Sequence, residues 1–233
     1  MMRFSTLVKH PADWMTGGKG QHGAVITSRI RLARNLRRHP FPGWAKREQR
    51  AEALEEMKPA VEGLPAMKDA FSQELSGLNS VQKQVLVERH LISREHAARA
   101  DGSGAVIERR QTFSFMLNEE DHLRMQAIRP GLQLGSAFQA LSELDSQLEQ
   151  SLEFAFDPKL GYLTACPTNL GTGLRASSML HLPALVLSDQ IGQVLQAVNK
   201  IGLAVRGLYG EGTESLGNLY QISNQSTLGE SEE

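Results

Sequence analysis

The sequence predicts an α+β fold in which an antiparallel sheet is flanked by helices. Apolar residues recur at helical spacing in three segments, and apolar and polar residues alternate, as in half-buried strands, in the stretches between them. Two of these stretches, residues 112–117 and 123–128, are separated only by a short acidic connection, which favours antiparallel pairing. We therefore expect an α+β architecture rather than a doubly wound parallel sheet.

Each predicted element is defined by its own apolar pattern. The helices are marked by Leu54, Met57, Val61 and Leu64; by Leu134, Phe138, Leu141, Leu144, Leu148 and Leu152; and by Ile191, Val194, Leu195, Val198 and Ile201. The third helix is predicted to have Ser188 as its N-cap, with Asp189 behind it. The strands are predicted at residues 24–32, 112–117, 123–128, 161–165, 203–208 and 218–222.

Composition and charge exclude several classes of protein. The 233 residues are 40% hydrophobic and 22% charged, which suits one sizeable core or two small ones. Because 25 basic and 26 acidic residues nearly cancel, no overall field draws the chain to nucleic acid or to a membrane surface. No apolar run approaches the ~18 residues of a spanning helix, and a single cysteine excludes an internal disulfide framework. These features predict a cytoplasmic protein without membrane or nucleic-acid partners.

The chain is predicted to form one domain. A flexible N-terminal segment, residues 1–23 with the glycine-rich stretch 17–20, precedes a domain at residues 24–233, and no internal repeat is visible.

Arginines cluster on one predicted sheet face. On a strand over residues 24–32, Thr27, Arg29 and Arg31 share one side, and the other side is largely apolar. The same alternation places Arg124 opposite apolar neighbours on its strand, and Arg206 on another. Clustered guanidinium groups suit a bound polyanion, since their planar forks match phosphate oxygens.

Two other interpretations of the arginines stay open. Each arginine could be an ordinary solvated side chain on an exposed sheet face. The five arginines at positions 29, 31, 34, 37 and 38 could instead bind nucleic acid, although no set of interleaved aromatic residues accompanies them.

The acidic connection at residues 118–122 places three carboxylates at one turn beside Arg124. They could simply keep the turn soluble, or they could orient a cationic substrate next to a bound phosphate. A metal site at Glu120, Asp121 and His122 is a weaker alternative, because adjacent strand residues point to opposite faces.

Cys166 and the glycines that follow it form a third motif. Cys166 is predicted at the end of a strand, where it is either a small buried hydrophobe or a thiol activated by nearby arginines. The stretch 171–176 matches a relaxed dinucleotide-binding fingerprint. We reject that function because Pro167 precedes the glycines and Pro183 would interrupt the helix that must follow. No Walker A sequence is present, so any bound ATP would be held by arginines.

Together, these motifs resemble the ATP:guanido phosphotransferase (phosphagen kinase) family, and most closely its bacterial protein-arginine kinase branch. The matching segments are 27–35 (TSRIRLARN), 118–124 (NEEDHLR), 166–175 (CPTNLGTGLR) and 206–214 (RGLYGEGTE), in the family's order, followed by Ser223-Asn224-Gln225. The resemblance implies the guanido kinase catalytic fold, related to that of glutamine synthetase. It also implies transfer of the ATP γ-phosphoryl group to a guanidino nitrogen.

The resemblance assigns roles residue by residue. It implies an arginine cage for the ATP phosphates at Arg29, Arg31, Arg124, Arg175 and Arg206. It implies further nucleotide contacts at Thr27, Ser28, Ile30, Ala176, Ser177, Ser178, Met179, Gly207, Leu208, Tyr209, Gly210 and Glu211, with His90 on the base side. The catalytic residues would be Glu120 and Glu211, which hold the acceptor guanidinium, and Cys166 beside it. Mg²⁺ would be held by the ATP phosphates, and no protein ligand is assigned to it.

Differences from the family pattern indicate which substrate to expect and which parts of the family fold are missing. An additional N-terminal helical domain of the small-guanidine kinases does not fit before residue 27, which favours protein substrates with exposed arginines. The domain is also expected to lack its C-terminal helices and any regulatory domain, with Thr227 and Glu230 forming an isolated capping box. Association into a homo-oligomer is compatible with that expectation. An inactive relative that binds nucleotide or a partner protein, and a kinase of free arginine, remain alternatives.

Overall fold

The computed structural model describes residues 2–16, 23–207 and 216–231 of the chain. Its centre is an eight-stranded sheet with the order β2-β3-β4-β5-β1-β8-β10-β9, in which neighbouring strands are antiparallel. The strands are β1 (Val25–Arg34), β2 (Phe71–Glu74), β3 (Gly104–Ile107), β4 (Phe113–Leu117), β5 (Leu123–Pro130), β6 (Phe156–Asp157), β7 (Gly161–Tyr162), β8 (Leu174–His181), β9 (Leu203–Gly207) and β10 (Leu219–Asn224). Strands β6 and β7 form a separate hairpin.

The helices are α1 (Phe4–Leu7), α2 (Arg47–Glu62), α3 (Ser80–Glu88), α4 (Arg94–Ala97), α5 (Leu134–Glu149), α6 (Pro183–Leu187) and α7 (Ile191–Lys200). A 3₁₀ turn at Asp13–Thr16 packs against β5. The predicted α+β class is confirmed, as is the antiparallel pairing of β4 with β5 across the acidic turn. None of the helices in these described ranges is long and apolar enough to cross a membrane.

One face of the sheet carries the main core. Helices α2 and α5 lay their apolar stripes across it, and Met57 of α2 and Leu141 of α5 are fully buried. Their partners on the central strands include Ile30, Met125 and Phe115. This packing confirms the first two predicted helices and the apolar side of β1.

Among the described residues, the opposite face is covered mainly toward the β2 edge, and the 3₁₀ turn at Asp13–Thr16 extends this cover to β5. A second core there joins β2, β3 and β4 to α3 and to the N-terminal residues, with Leu7 only 1% exposed. Residues 2–16 therefore belong to the packed domain. Beyond β4, from β5 to β9, this face carries polar side chains, and these define the candidate site described below.

A buried ion pair ties the core helix to β1. The Arg34 Nη2 atom lies 2.6 Å from the Asp145 carboxylate on α5, and the guanidinium stacks over the Tyr162 ring at 3.5 Å. Arg37 and Arg38 instead pair with Glu153 at the surface. Arg29 and Arg31 point to the other face of β1. The five arginines between residues 29 and 38 therefore lie in three different environments and do not form one basic surface.

Local predictions failed where neighbours in space decide the backbone. Helix α7 begins after Gln190, without a side-chain cap, whereas Ser188 ends α6 and Asp189 adopts a positive φ of 57° between the two helices. The predicted Ser188 N-cap is therefore wrong. The predicted strand 161–165 pairs only at Gly161–Tyr162, because its later residues bond to loops.

Candidate active site

Four arginines from four strands line one cleft on the open face of the sheet. Its volume is about 240 Å³, and it is bordered by Glu120 and Cys166. The arginines are Arg31 on β1, Arg124 on β5, Arg175 on β8 and Arg206 on β9. The cleft thus unites side chains that the sequence places in all four motifs.

Strand register explains this convergence. Arg31 lies directly opposite Arg175 on β8, and Ala33 lies opposite Arg124 on β5. Arg206 lies opposite Gln221, which itself lies opposite Met179. Residues facing each other across antiparallel strands share a face, so the period of two carries the arginines to the same side.

The guanidinium groups of the cleft repel one another. Burial, together with the charges of Arg29, Arg124 and Arg175, lowers the pKa of Arg31 well below its usual value. Burial and then Arg206 lower the pKa of Arg175. Within the described part of the chain, the buried Arg31 Nε atom has no hydrogen-bond partner. Buried guanidinium groups that repel one another are stabilised by an anion among them.

Arg124 is fixed by the first carboxylate of the acidic turn. Its Nη1 atom donates to both oxygens of Glu119 at 2.6 Å, and Ser93 donates to the same carboxylate. Burial raises the pKa of Glu119, but the Arg124 charge and the hydrogen bonds from Ser93 and Arg124 together outweigh burial, so the pKa is lowered. Glu119 therefore remains ionised and holds Arg124 at the cleft wall.

The second carboxylate, Glu120, is directed into the cleft by a rigid turn. Asn118 adopts a positive φ of 57°, and its side-chain nitrogen donates to the carbonyl oxygens of Arg50 and Gly102 at 2.7 Å. Glu119 and Asp121 on either side are 2% exposed, whereas Glu120 is exposed and lines the cleft. Glu120 is thus the exposed carboxylate of this turn at the cleft.

The third carboxylate, Asp121, connects this turn to the cysteine loop. Its Oδ1 atom accepts hydrogen bonds from Asn35 and from the Ala165 backbone, both at 2.6 Å. Burial raises its pKa despite these bonds. Cys166, which directly follows Ala165, is half-buried, and its Sγ atom lies 3.1 Å from the Thr168 hydroxyl. The thiol and Glu120 therefore stand on one connected frame.

The loop before β8, residues 171–173, is shaped by backbone packing around its two glycines. At Gly173, whose φ is +65°, an added Cβ atom would lie 2.6 Å from the Ala33 carbonyl oxygen. At Gly171 it would lie 2.4 Å from the Thr227 carbonyl oxygen. Strand β8 follows these glycines instead of a helix, so the structure agrees with rejection of the dinucleotide fingerprint. Thr227 is buried and donates to Leu170 at 2.6 Å, so the predicted capping box does not form.

A narrow slot of about 20 Å³ continues the cleft toward the N-terminal turn. Its walls include Trp14, whose ring centroid lies 5.3 Å from that of His90. Arg29 and Gln221 also line the slot, and the Arg29 Nη2 atom donates a 2.9 Å hydrogen bond to the Gln221 Oε1 atom. Burial and then the Arg29 charge lower the pKa of His90 to about 4, so this ring is neutral at pH 7. The slot therefore combines aromatic and polar walls.

The predicted site residues fall into three groups. Side chains that line the cleft or the slot are Thr27, Arg29, Arg31, His90, Glu120, Arg124, Cys166, Arg175, Ser177, Met179 and Arg206. Side chains paired on the opposite, helix-facing side of the sheet are Ser28, Ile30, Ala176 and Ser178. Ser28 and Ile30 are 0% and 2% exposed, so these side chains are not brought to the cleft. Gly207 ends β9 opposite Tyr220, and Leu208, Tyr209, Gly210 and Glu211 lie outside the described residues.

Sequence reasoning missed several residues that line the site. Gln221 borders both the cleft and the slot, and Ser223 shares its face of β10. The alternation along the strand could have identified both, since they follow the same period as Arg206. Trp14 carried no comparable signal, because only tertiary contact brings it to His90. Among the described residues, no group of three or more His, Cys, Asp or Glu side chains is arranged to hold a metal ion.

Comparisons with known proteins identify the family. Residues 52–233 match the family model for the ATP:guanido phosphotransferase C-terminal catalytic domain. The chain is 49% identical to a protein-arginine kinase of Halothermothrix orenii over 96% of this chain and 64% of that protein. It is 51% identical to a protein-arginine kinase of Moorella thermoacetica over 95% of this chain and 64% of that protein. The chain thus spans about 64% of the length of these relatives.

Solved structures agree with this assignment. A duplicated taurocyamine kinase from Schistosoma mansoni, with bound transition state analog components, is 30% identical with a TM-score of 0.79, covering 99% of this chain and 33% of that one. A lombricine kinase is 29% identical with a TM-score of 0.76, covering 95% of this chain and 66% of that one. The chain belongs to the ATP:guanido phosphotransferase family.

Proposed function

We propose that this chain transfers the γ-phosphoryl group of ATP to the guanidino nitrogen of arginine residues in proteins. The observation that carries the proposal is a single cleft that combines four arginines with one exposed carboxylate, Glu120. Arginines suit the polyphosphate, and a carboxylate suits the cationic acceptor. Phosphoryl transfer between them depends chiefly on positioning and on charge stabilisation.

ATP is proposed to lie across the cleft and the slot. Its phosphates would occupy the space among Arg31, Arg124, Arg175 and Arg206, where an anion relieves the mutual repulsion of the guanidinium groups. Its base would enter the slot beside Trp14 and His90. Because the slot is narrow, a purine has to displace the side chains at its mouth. The neutral His90 ring would contact the base without carrying a charge into the slot.

Mg²⁺ is proposed to accompany ATP as a ligand of its phosphates. A cleft lined by arginines attracts the polyphosphate and repels a bare cation, which agrees with a metal that arrives already bound to the nucleotide. When bound to ATP, Mg²⁺ would offset the negative charge that builds up during transfer.

The carboxylate has a defined task in the proposed chemistry. A protonated guanidinium is a poor nucleophile, so one nitrogen must be aligned with the γ-phosphorus and must lose a proton. As the N–P bond forms, the bond from the γ-phosphorus to its bridging oxygen breaks, and ADP leaves with that electron pair. Glu120 would align the guanidinium and accept the proton. Glu211 is proposed as a second carboxylate on the acceptor, and Cys166 as its neighbour.

A protein acceptor is favoured by the relatives. Two protein-arginine kinases are 49% and 51% identical over nearly the whole chain, whereas the taurocyamine and lombricine kinases are 30% and 29% identical. A kinase of free arginine would share the same chemistry. An inactive nucleotide-binding relative is less well supported, because the exposed Glu120 and the half-buried Cys166 both border the cleft.

Phosphoarginine formation tests the proposal. The chain should be incubated with Mg²⁺, ATP and an arginine-rich protein, and the products analysed by mass spectrometry before and after mild acid. We expect an acid-labile phosphate on arginine, and slower transfer to free L-arginine. Absence of phosphoarginine with every acceptor would overturn the proposed activity, and equal kcat/KM for free arginine would overturn the protein acceptor. A cytoplasmic location and homo-oligomer formation remain predictions.

A further inference from the structure

A second groove adjoins the cleft on the side of the acceptor carboxylate. Its volume is about 680 Å³, and it shares Glu120 and Arg124 with the arginine-lined cleft. Its other walls are the loop at residues 41–44, the α4 region and the backbone segment just before Cys166, which contribute Phe41, Gly43, Trp44, Glu95, Arg99, Thr164 and Ala165. The groove is therefore continuous with the proposed site of phosphoryl transfer.

Trp44 stands on a stiff loop at the groove wall. It is 88% exposed, although the Trp44 backbone nitrogen donates to the Phe41 carbonyl oxygen at 2.8 Å. Pro42 is buried, and the Phe41 ring packs edge-on against His122, with centroids 6.2 Å apart. A single exposed hydrophobic residue is ordinary. A tryptophan on a constrained backbone beside the proposed catalytic carboxylate is suited to binding, since it offers a large apolar area.

The reach of an arginine side chain fixes where its main chain must lie. An extended arginine side chain is about 7 Å long, so a guanidinium held at Glu120 places its polypeptide at the surface just beside that carboxylate. The proposed polyphosphate occupies the arginine-lined side. The groove is the surface that continues from Glu120 on its other side, and it has room for the neighbours of the acceptor residue.

The charges around the groove suit a polypeptide. Glu119 is neutralised by Arg124, so Glu95 and Glu120 remain as acidic groups with Arg99 as a basic one. We propose that this groove binds the polypeptide segment on either side of the acceptor arginine, with a bulky apolar side chain near that arginine packed on Trp44. The proposal rests on the proposed function and deepens it, since it assigns a substrate-binding surface.

Kinetics of Trp44→Ala test the groove. Two acceptors should be compared: a peptide of about ten residues with leucine next to a central arginine, and N-acetyl-L-arginine amide, which has no flanking residues. We expect Trp44→Ala to lower kcat/KM for the peptide about tenfold, mainly through KM, and to leave the small acceptor and the KM for ATP unchanged. Leu187→Ala is the matched control, because Leu187 is also 88% exposed but lines neither the cleft nor the groove. Equal losses for both acceptors, or no loss for the peptide, would overturn the proposal.

A binding measurement separates this proposal from the proposed activity. In a Trp14→Phe background, Trp44 is the remaining tryptophan, and its fluorescence should change saturably when the leucine-containing peptide is added without ATP. A peptide with glycine in place of leucine should bind more weakly. If the wild-type chain formed no phosphoarginine from any acceptor, the proposed function would fail while this titration still reported on the groove. No fluorescence change with the peptide would count against the groove itself.

Discussion

The buried carboxylate that holds Arg124 offers a sharp test of how the cleft is built. We predict that Glu119→Gln lowers the free energy of unfolding by about 2–3 kcal/mol. The Glu119 side chain is 3% exposed and accepts two bonds of 2.6 Å from Arg124, whose side chain is 23% exposed. Removing one partner of a fully buried pair costs about 3–5 kcal/mol. We expect the lower value here because Arg124 keeps some contact with water.

Urea denaturation of the wild-type and Glu119→Gln proteins measures this loss of unfolding free energy. Glutamine preserves the size of the side chain but removes its charge and replaces one of the two acceptor oxygens with an NH2 group, so the change removes the ion pair without opening a cavity. The matched control is Asp101→Asn, which removes an exposed pair with Arg47 at 2.9 Å, with side chains 50% and 70% exposed. Exposed pairs contribute about 0–1 kcal/mol. If Glu119→Gln cost no more than Asp101→Asn, the argument that Glu119 anchors Arg124 would be refuted.

Three further predictions concern the thiol, the slot and the buried histidines. Cys166→Ala should slow phosphoryl transfer strongly and leave thermal stability nearly unchanged, because the thiol is half-buried and lines the cleft with Glu120, the proposed acceptor carboxylate. A large loss of stability with normal activity would indicate a structural role for the thiol instead. Trp14→Ala should weaken ATP binding about tenfold or more through lost base stacking, and it should leave the binding of inorganic tripolyphosphate unchanged. Both affinities are measured by calorimetry, with Trp44→Ala as the control. Equal losses for ATP and tripolyphosphate would contradict the assignment of the slot to the base. Burial lowers the pKa of His90, His96 and His122 from 6.5 to about 4, so between these values the unfolded chain binds protons that the folded chain does not. Stability should therefore fall as the pH drops from 6.5 toward 4, by on the order of 1 kcal/mol per histidine per pH unit, partly opposed by the raised pKa of Asp121 and Asp145. An unfolding free energy that stays flat from pH 7 to pH 5 in denaturant titrations would count against this.

The sequence contained enough information to predict the face of the sheet that forms the cleft. Alternation along β1 separates Arg29 and Arg31 from the buried Ile30, and this local pattern survives folding because its period is fixed by strand geometry. The pairing of β4 with β5 could also be predicted, because only a short turn separates the two strands. Strand β8 was not predicted, since its place between β1 and β10 depends on hydrogen bonds to distant segments.

The roles of the three adjacent carboxylates could not be separated by local reasoning. Their exposure depends on partners far along the chain: Ser93 for Glu119, Asn35 for Asp121 and the backbone of Arg50 for the turn itself. The assignment of Glu120 to the acceptor came instead from the family resemblance. The structure adds a physical reason, because Glu120 is the exposed member of the three.

The most direct test of the proposed mechanism compares wild-type chain with Glu120→Gln in the rate of phosphoarginine formation. At saturating ATP and a fixed concentration of an arginine-rich protein, we predict a loss on the order of 10²-fold or more, because the carboxylate is proposed to align the acceptor and take its proton. ATP affinity should remain within a few-fold, since the proposed phosphate ligands are the arginines and not Glu120. A wild-type rate of phosphoarginine formation in Glu120→Gln would contradict the account.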